Sequence, residues 1–261
     1  MRYFLEVAYK GTRFSGFQAQ PNALTIQGEI EKAFITFFGK RLAHWERGGA
    51  AVREGNGLTC SSRTDAGVHA RQNYFHFDYP EPFLQKWIYN LNAILPGDIV
   101  IKSVTEMPDN AHCRFDALSR TYHYHIYQNK DPFIADSAYF YPYTMDIERL
   151  NEAASVIQRY TDFTSFSKRK TQVKTFNCTI LQSEWFRNQD QWVYRVSGNR
   201  FLRGMVRALT ATMLKVGRGI LSVDDLHQIF QAKDCSKAFF DTPAHGLTLM
   251  QVNYDWNNNA L

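Results

Sequence analysis

The order of strand-like and helix-like segments is the feature of this chain that most constrains its fold. In the first half, a strand over residues 2–9, a helix, a half-buried strand around Phe75 and Phe77, a second helix and a further strand follow one another. Alternating apolar residues indicate the strands, and apolar residues three and four positions apart indicate the helices. This order predicts an α+β fold with mainly antiparallel strands and with helices packed on one side of the sheet.

Each helix of the first half has one apolar face, and Thr25 is placed to cap the first. The predicted buried face of that helix consists of Ile26, Ile30, Ala33, Phe34, Phe37 and Phe38. The face of the second consists of Leu84, Trp87, Ile88, Leu91 and Leu95, and Pro96-Gly97 should end it. Strands are predicted over residues 98–104 and 111–128, whereas residues 47–57 lack periodicity and form a loop or an irregular hairpin.

The second half has a similar order of elements. The predictions are a helix over 146–160, a hairpin of strands 176–186 and 191–198, a long helix from about Asn199, a capping box of Ser222 with Asp225, and a last strand over Leu247–Tyr254. We therefore predict two similar α/β units, 1–110 and 111–261, joined into a continuous sheet.

Composition narrows the class of protein. The chain has 261 residues, 44% of them hydrophobic, which is enough to form a sizeable core. It contains no apolar run of roughly 20 residues, and its N-terminus does not resemble a secretory signal, so we expect a cytoplasmic protein without a membrane anchor. The four cysteines stand far apart and no histidine lies at zinc spacing, so neither a disulfide framework nor a metal site is expected.

The distribution of positive charge is more informative than the net charge of +5. One basic cluster contains Lys168, Arg169, Lys170 and Lys174, and a second contains Arg195, Arg200, Arg203, Arg207, Lys215 and Arg218. Most charged runs are solvated surfaces, but basic residues interleaved with aromatic ones are also typical of nucleic-acid binding. On the helix predicted from Asn199, the arginines share one side, opposite the apolar residues.

The segment Ser62–Ala70 is the best candidate for a reactive site. It places Asp65 beside an arginine and just before Gly67, between two predicted strands. A carboxylate held in a tight loop is suited to act as a nucleophile. The alternative is an ordinary surface turn in which Asp65 caps its own backbone. A second candidate is Tyr122, which shares a predicted strand face with Tyr124 and Ile126. The alternative is that Tyr122 and Tyr124 are only an aromatic pair packed in the sheet.

The run Arg63–His69 closely resembles the catalytic signature of the tRNA pseudouridine synthase A family. The run Asn199–Arg207 is similar to the family motif Asn-x-Phe-x-x-x-Met-Val-Arg, and Tyr122 aligns with the family's active-site tyrosine. Further matches lie at Asp162–Phe166, at Asn92 with 95–99, at Ala111 with Arg114-Phe115, and at Gly246-Leu247. The resemblance thus extends over nearly the whole chain.

The resemblance implies that the chain is an isomerase converting uridine to pseudouridine. It assigns Asp65 as the nucleophile, Arg207 as its partner and Tyr122 as a group that stacks on the uracil and moves a proton. Leu247 would form an apolar wall, and Arg63 would fill the space left by the extruded base or hold a phosphate. The residues leave open whether the carboxylate attacks the base, attacks the sugar or removes a sugar proton.

The resemblance also implies a homodimer with a positively charged RNA-binding cleft, no cofactor, and uridines 38, 39 and 40 of the tRNA anticodon stem-loop as substrates. Candidate tRNA contacts are Lys10, Arg13, Lys168, Arg169, Lys170, Arg200 and Arg203. The chain departs from the family pattern at Ser62 and Ala70, where glycines are common, and in a longer segment at 47–57. Two alternatives remain open: a non-catalytic tRNA-binding or tRNA-folding protein, and the same isomerisation on another RNA.

Overall fold

The computed structural model describes residues 1–39, 57–168 and 173–256. The strands are β1 Arg2–Tyr9, β2 Thr59–Cys60, β3 His69–Asp78, β4 Ile99–Met107, β5 Ser119–Tyr127, β6 Tyr139–Phe140, β7 Ile180–Asn188, β8 Gln191–Gly198 and β9 Leu247–Asn253. The α-helices are α1 Ile26–Phe38, α2 Trp87–Ile94, α3 Ile147–Ile157, α4 Met205–Gly217 and α5 Val223–Ala232. The predicted mixed fold with mainly antiparallel strands is confirmed, since only β6 is parallel to its neighbour β5 among the pairings described. Within these residues, no helix has the length and apolarity needed to cross a bilayer.

The described chain forms two compact units. The first unit consists of Met1–Leu118 and of the chain from Leu249 onward, and the second consists of Ser119–Thr248. Each unit has its own strands, helices and apolar core.

In the first unit, β1 lies between β3 and β4 and is antiparallel to both, so that Leu5 faces Phe75 on one side and Val104 on the other. Strand β9 lies next to β3. Residues 74–77 of β3 are all buried, so the prediction that this strand is only half-buried was wrong. Helix α1 begins as predicted, because the Thr25 hydroxyl accepts a hydrogen bond from the Gly28 N–H.

Aromatic rings fill the core of the first unit. Phe17 packs on Phe75 with ring centroids 4.7 Å apart, and Phe34 meets Phe77 edge-on at 5.2 Å. Phe17 belongs to the loop after β1 and Phe34 to α1, so these contacts fix both segments against β3. Such aromatic pairs stabilise a fold by about 0.5–1.5 kcal/mol each beyond the burial of their surface.

The predicted hairpin of the second unit is formed by β7 and β8, and β8 also pairs with β5. Tyr124, Tyr194 and Trp185 lie side by side across these three strands. Helix α3 is fixed to β7 by Asn151, whose side chain donates to the Trp185 carbonyl at 3.1 Å and accepts from the Trp185 N–H at 2.8 Å.

Helix α4 differs from its prediction in both start and environment. It begins at Met205 instead of near Asn199, because Asn199 bonds to the backbone of Thr179 at 3.1 Å and 2.9 Å and so continues the strand pairing. Arg200 and Arg203 therefore precede the helix. Apart from Arg207 and Lys215, which are half-buried, every residue of α4 is buried, so the arginines predicted to share one side of this helix do not form a continuous stripe along it.

Two further segments test the local predictions. Residues 111–118, predicted as the start of a long strand, form turns in which the Asp116 carboxylate accepts the His112 N–H at 2.7 Å, and β5 begins only at Ser119. The capping box of α5 is confirmed, since the Ser222 hydroxyl accepts from the Asp225 N–H and the Asp225 carboxylate accepts from the Ser222 N–H. The caps at Thr25 and Ser222 were therefore predicted correctly, because each is formed by a side chain and a backbone N–H only three residues apart.

Candidate active site

Asp65 occupies the first position of a tight turn between β2 and β3. The Val68 N–H donates to the Asp65 carbonyl at 3.1 Å, and Gly67 has a φ of 80°, a conformation that residues with a β-carbon rarely adopt. The Asp65 side chain is half-buried. Among the described residues of the first unit, none forms a hydrogen bond or an ion pair with its carboxylate, which leaves the carboxylate available to a group from outside this unit.

The loop after β1 is hydrogen-bonded to residues on both sides of Asp65 in the sequence. The Phe17 N–H donates to the Thr64 carbonyl at 3.1 Å, and the Gly11 N–H donates to His69 Nδ1 at 3.0 Å. These two bonds hold the residues immediately before and shortly after Asp65. The loop therefore fixes the path of the backbone that carries the candidate nucleophile.

Arg63 is exposed and lies close to the buried thiol of Cys60. Burial raises the pKa of Cys60 to about 11, and the Arg63 guanidinium opposes that shift only in part. The thiol is therefore neutral at physiological pH. The Arg63 side chain lies at the surface of the turn.

Tyr122 and Tyr124 share a face of β5 but differ in environment. Tyr122 is half-buried and meets Phe201 edge-on, with ring centroids 5.2 Å apart. Tyr124 is fully buried, and its hydroxyl donates to the Pro243 carbonyl at 2.7 Å. Burial raises the pKa of Tyr124 far above that of an ordinary tyrosine. Tyr124 is thus a structural residue, and Tyr122 is the one whose ring reaches the surface.

Arg207 is held at the start of α4 by the segment that follows α5. Its Nε and Nη2 atoms donate to the Thr242 carbonyl at 2.9 Å and 2.6 Å. The Thr242 hydroxyl donates in return to the Arg207 carbonyl at 2.9 Å. Within the described part of the second unit, the Nη1 group has no hydrogen-bond acceptor. The guanidinium is therefore oriented on one side and can bind a carboxylate on the other.

The predicted site residues fall in both units. Asp65 and Arg63 belong to the first, and Tyr122, Arg207 and Leu247 belong to the second. Leu247 is buried and opens β9, directly after the short 3₁₀ turn Ala244–Gly246. The pairing of Asp65 with Arg207 joins residues of different units and stays a prediction.

The candidate tRNA-contact residues vary in their surroundings. Arg13 forms an ion pair with Asp98, so part of its charge is already neutralised. Lys168 is half-buried, and its N–H donates to the carbonyl of the exposed Arg203 at 3.0 Å. Lys10 is exposed and Arg200 is half-buried, while Arg169, Lys170 and most of the 47–57 segment lie outside the described residues.

Sequence reasoning did not identify the residues that support the site. Thr242 binds Arg207, and a buried set formed by Tyr9, Thr64 and Asn73 lies behind the Asp65 turn. The sequence gives no signal for this set, because Asn73 is one of several polar residues in β3. Among the described residues, no three His, Cys, Asp or Glu side chains are grouped so that they could hold a metal ion.

Comparison with known proteins identifies the family of the chain. A family model described as tRNA pseudouridine synthase matches residues 160–255. A "tRNA pseudouridine synthase A" of Porphyromonas gingivalis is 42% identical over 258 residues, which cover 97% of each chain. A protein of the same name from Staphylococcus aureus strain JH1 is 36% identical over 260 residues, which cover 98% of this chain and 92% of that one.

The chain belongs to the tRNA pseudouridine synthase A family.

Ser62 and Ala70 stand where the resemblance to the family implies glycines. Ser62 is buried; its carbonyl accepts from Asn73 Nδ2 at 2.9 Å, and its hydroxyl has no partner among the described residues. Ala70 is buried and pairs with Tyr9 across β1 and β3. Both side chains are therefore buried, whereas the Asp65 side chain is only half-buried.

Proposed function

We propose that the protein converts uridine to pseudouridine at positions 38, 39 and 40 of the tRNA anticodon stem-loop, with Asp65 as the nucleophile. Membership of the tRNA pseudouridine synthase A family makes the chain a pseudouridine-forming isomerase. The observation that most supports the role of Asp65 is its half-buried carboxylate, which has no partner among the described residues of the first unit. It stands on a turn whose backbone is hydrogen-bonded to the loop after β1.

The reaction breaks the bond between the sugar and a base nitrogen and forms a bond from the same sugar carbon to a base carbon. That base carbon loses a proton and the nitrogen gains one, so no oxidant, metal or cofactor is required. As the nucleophile, Asp65 forms a temporary covalent bond to the sugar or to the base, and this bond breaks again once the base has turned and the new carbon–carbon bond has formed. Tyr122 stacks on the uracil and moves the proton, and Leu247 supplies an apolar wall.

Arg207 pairs with the Asp65 carboxylate in this proposal. Closing a substrate over a carboxylate removes water and raises its pKa, whereas an adjacent guanidinium lowers it and keeps the nucleophile ionised. The bonds from Arg207 to Thr242 support this role because they orient the guanidinium before the substrate arrives. The target base is extruded from the RNA at a cost of a few kcal/mol, and Arg63 occupies the space that it leaves.

We further propose a domain arrangement, an oligomeric state, a cellular location and a set of tRNA contacts. Two similar α/β units, divided near residue 110, form one continuous sheet with helices on one side and the RNA-binding cleft on the other. The active form is a cytoplasmic homodimer that works without a cofactor. The tRNA contacts are Lys10, Arg13, Lys168, Arg169, Lys170, Arg200 and Arg203.

The test is to incubate the protein with unmodified tRNA and to map pseudouridine by mass spectrometry. We expect product at positions 38, 39 and 40 of tRNAs that carry uridine there, and none in matched transcripts with cytidine at those positions. Tight binding without any product would identify a non-catalytic tRNA-binding protein. Pseudouridine found only in another RNA would support the proposed isomerisation but contradict tRNA as the substrate.

A further inference from the structure

A buried set of polar side chains lies directly beneath the Asp65 turn. The hydroxyls of Tyr9 and Thr64 share a hydrogen bond of 2.8 Å, and Asn73 Nδ2 donates to the Tyr9 oxygen at 3.1 Å. The same Nδ2 donates to the Ser62 carbonyl at 2.9 Å. The exposed fractions are 4% for Tyr9, 8% for Thr64 and 0% for Asn73. Because buried polar groups are costly unless paired, these bonds define one arrangement of the turn.

The set acts on the residues just before Asp65. Thr64 is held through its hydroxyl by Tyr9 and through its carbonyl by the Phe17 N–H. Ser62 is held through its carbonyl by Asn73. Two of the three residues that lead into Asp65 are thus fixed to the strands β1 and β3, while the Asp65 side chain itself contributes no bond to this set.

We propose that Tyr9 and Asn73 are positioning residues for catalysis, which set the direction of the Asp65 carboxylate by fixing Thr64 and Ser62. The inference rests on the proposed role of Asp65 and adds to it. A nucleophile misplaced by about 1 Å loses on the order of 10²-fold in rate, although substrate binding is unchanged. The two residues should therefore affect kcat rather than KM.

The first variant is Tyr9→Phe, which removes one hydroxyl and keeps the ring. We expect kcat on unmodified tRNA to fall by about 10- to 100-fold, with KM and the Kd for tRNA within threefold of wild type. The matched control is Tyr3→Phe on the same strand. The Tyr3 hydroxyl is also buried and donates to the Glu81 carbonyl at 3.1 Å, away from the turn. Tyr3→Phe should leave kcat unchanged.

The second pair of variants alters Thr64. Thr64→Val keeps the shape and removes the hydroxyl that bonds to Tyr9, whereas Thr64→Ser keeps that hydroxyl. We expect Thr64→Val to reproduce the loss in kcat and Thr64→Ser to restore most of it. Because the two hydroxyls form a single bond, Tyr9→Phe combined with Thr64→Val should lose less than the product of the single losses.

Asp65→Asn is measured in parallel to separate this inference from the proposed function. If Asp65→Asn is inactive and Tyr9→Phe keeps wild-type kcat, the positioning role of Tyr9 is overturned, whereas the role of Asp65 as the nucleophile is supported. Equal losses of kcat in Tyr9→Phe and Tyr3→Phe would also overturn it, because they would indicate general destabilisation. Full activity of Asp65→Asn would instead overturn the role of Asp65 itself.

Discussion

The backbone of Gly11 lies against the carbonyl oxygen of Val68 so closely that a β-carbon on Gly11 would stand 2.0 Å from that oxygen. Val68 closes the turn that begins at Asp65, and the Gly11 N–H also binds His69. The loop after β1 and the Asp65 turn therefore fit each other only when residue 11 has no side chain.

Gly11→Ala should both destabilise the protein and impair turnover. A rigid backbone contact cannot move aside as a flexible side chain can, so we expect a loss of about 1–3 kcal/mol in the free energy of unfolding, as in other overpacked sites. Urea denaturation measures this change in the free energy of unfolding. Gly97→Ala is the control, because a β-carbon there would meet no atom within 4 Å. Equal stabilities of the two variants would contradict the close fit.

Ser62→Ala should stabilise the protein. The Ser62 hydroxyl is buried without a partner among the described residues, so its removal relieves an unpaired polar group, worth about 1–3 kcal/mol. Calorimetry should show a Tm higher by roughly 2–4 °C for each kcal/mol gained. The control is Ser183→Ala, which removes a buried hydroxyl that bonds to the Tyr194 hydroxyl at 3.0 Å and should lower Tm. A lower Tm for Ser62→Ala would show that this hydroxyl is satisfied.

The fold and the site were predictable to different degrees. Helix α1, the Thr25 cap and the Ser222 capping box follow from neighbours in sequence, and all were predicted correctly. The start of α4 was not, because Asn199 is fixed by Thr179, a residue 20 positions earlier. The network of Tyr9 with Thr64 and Asn73 joins residues more than 50 positions apart, and composition or periodicity carries no signal for such a pairing.

Acid should weaken the fold through His76. Burial, followed by the nearby Arg2 charge, lowers the pKa of His76 from its ordinary value of 6.5 to about 4. In the unfolded chain His76 therefore binds a proton at a higher pH than in the folded one. Its contribution to the free energy of unfolding is fully present above pH 6.5 and is lost as the pH falls towards 4.

Urea denaturation between pH 7 and pH 4 measures this dependence, and His76→Gln should reduce its slope. Gln offers a neutral acceptor for the Cys113 N–H, which donates to His76 Nδ1 at 3.2 Å. His123, whose pKa is also lowered to about 4, and His245, whose pKa is lowered by burial, contribute to the slope that remains. An identical slope in wild type and His76→Gln would exclude His76 as its source.

Replacing Lys168, Arg169 and Lys170 together by alanine should weaken tRNA binding and reduce its salt dependence. Each lost phosphate contact lowers the slope of log K against log salt concentration by roughly 0.7–0.9. Filter binding from low to moderate salt measures that slope. Arg187→Ala is the control, since Arg187 lies at the β7–β8 hairpin and interacts with Asp190. An unchanged slope in the triple variant would place the RNA surface elsewhere.

The most direct test of the central claim is Asp65→Asn under single-turnover conditions, with the Kd for unmodified tRNA measured alongside. The amide keeps the size of the side chain and removes the charge, so the nucleophile is lost while the turn is retained. We expect pseudouridine formation to fall at least about 10³-fold, with the Kd within threefold of wild type. Turnover within about tenfold of wild type would contradict the assignment of Asp65 as the nucleophile.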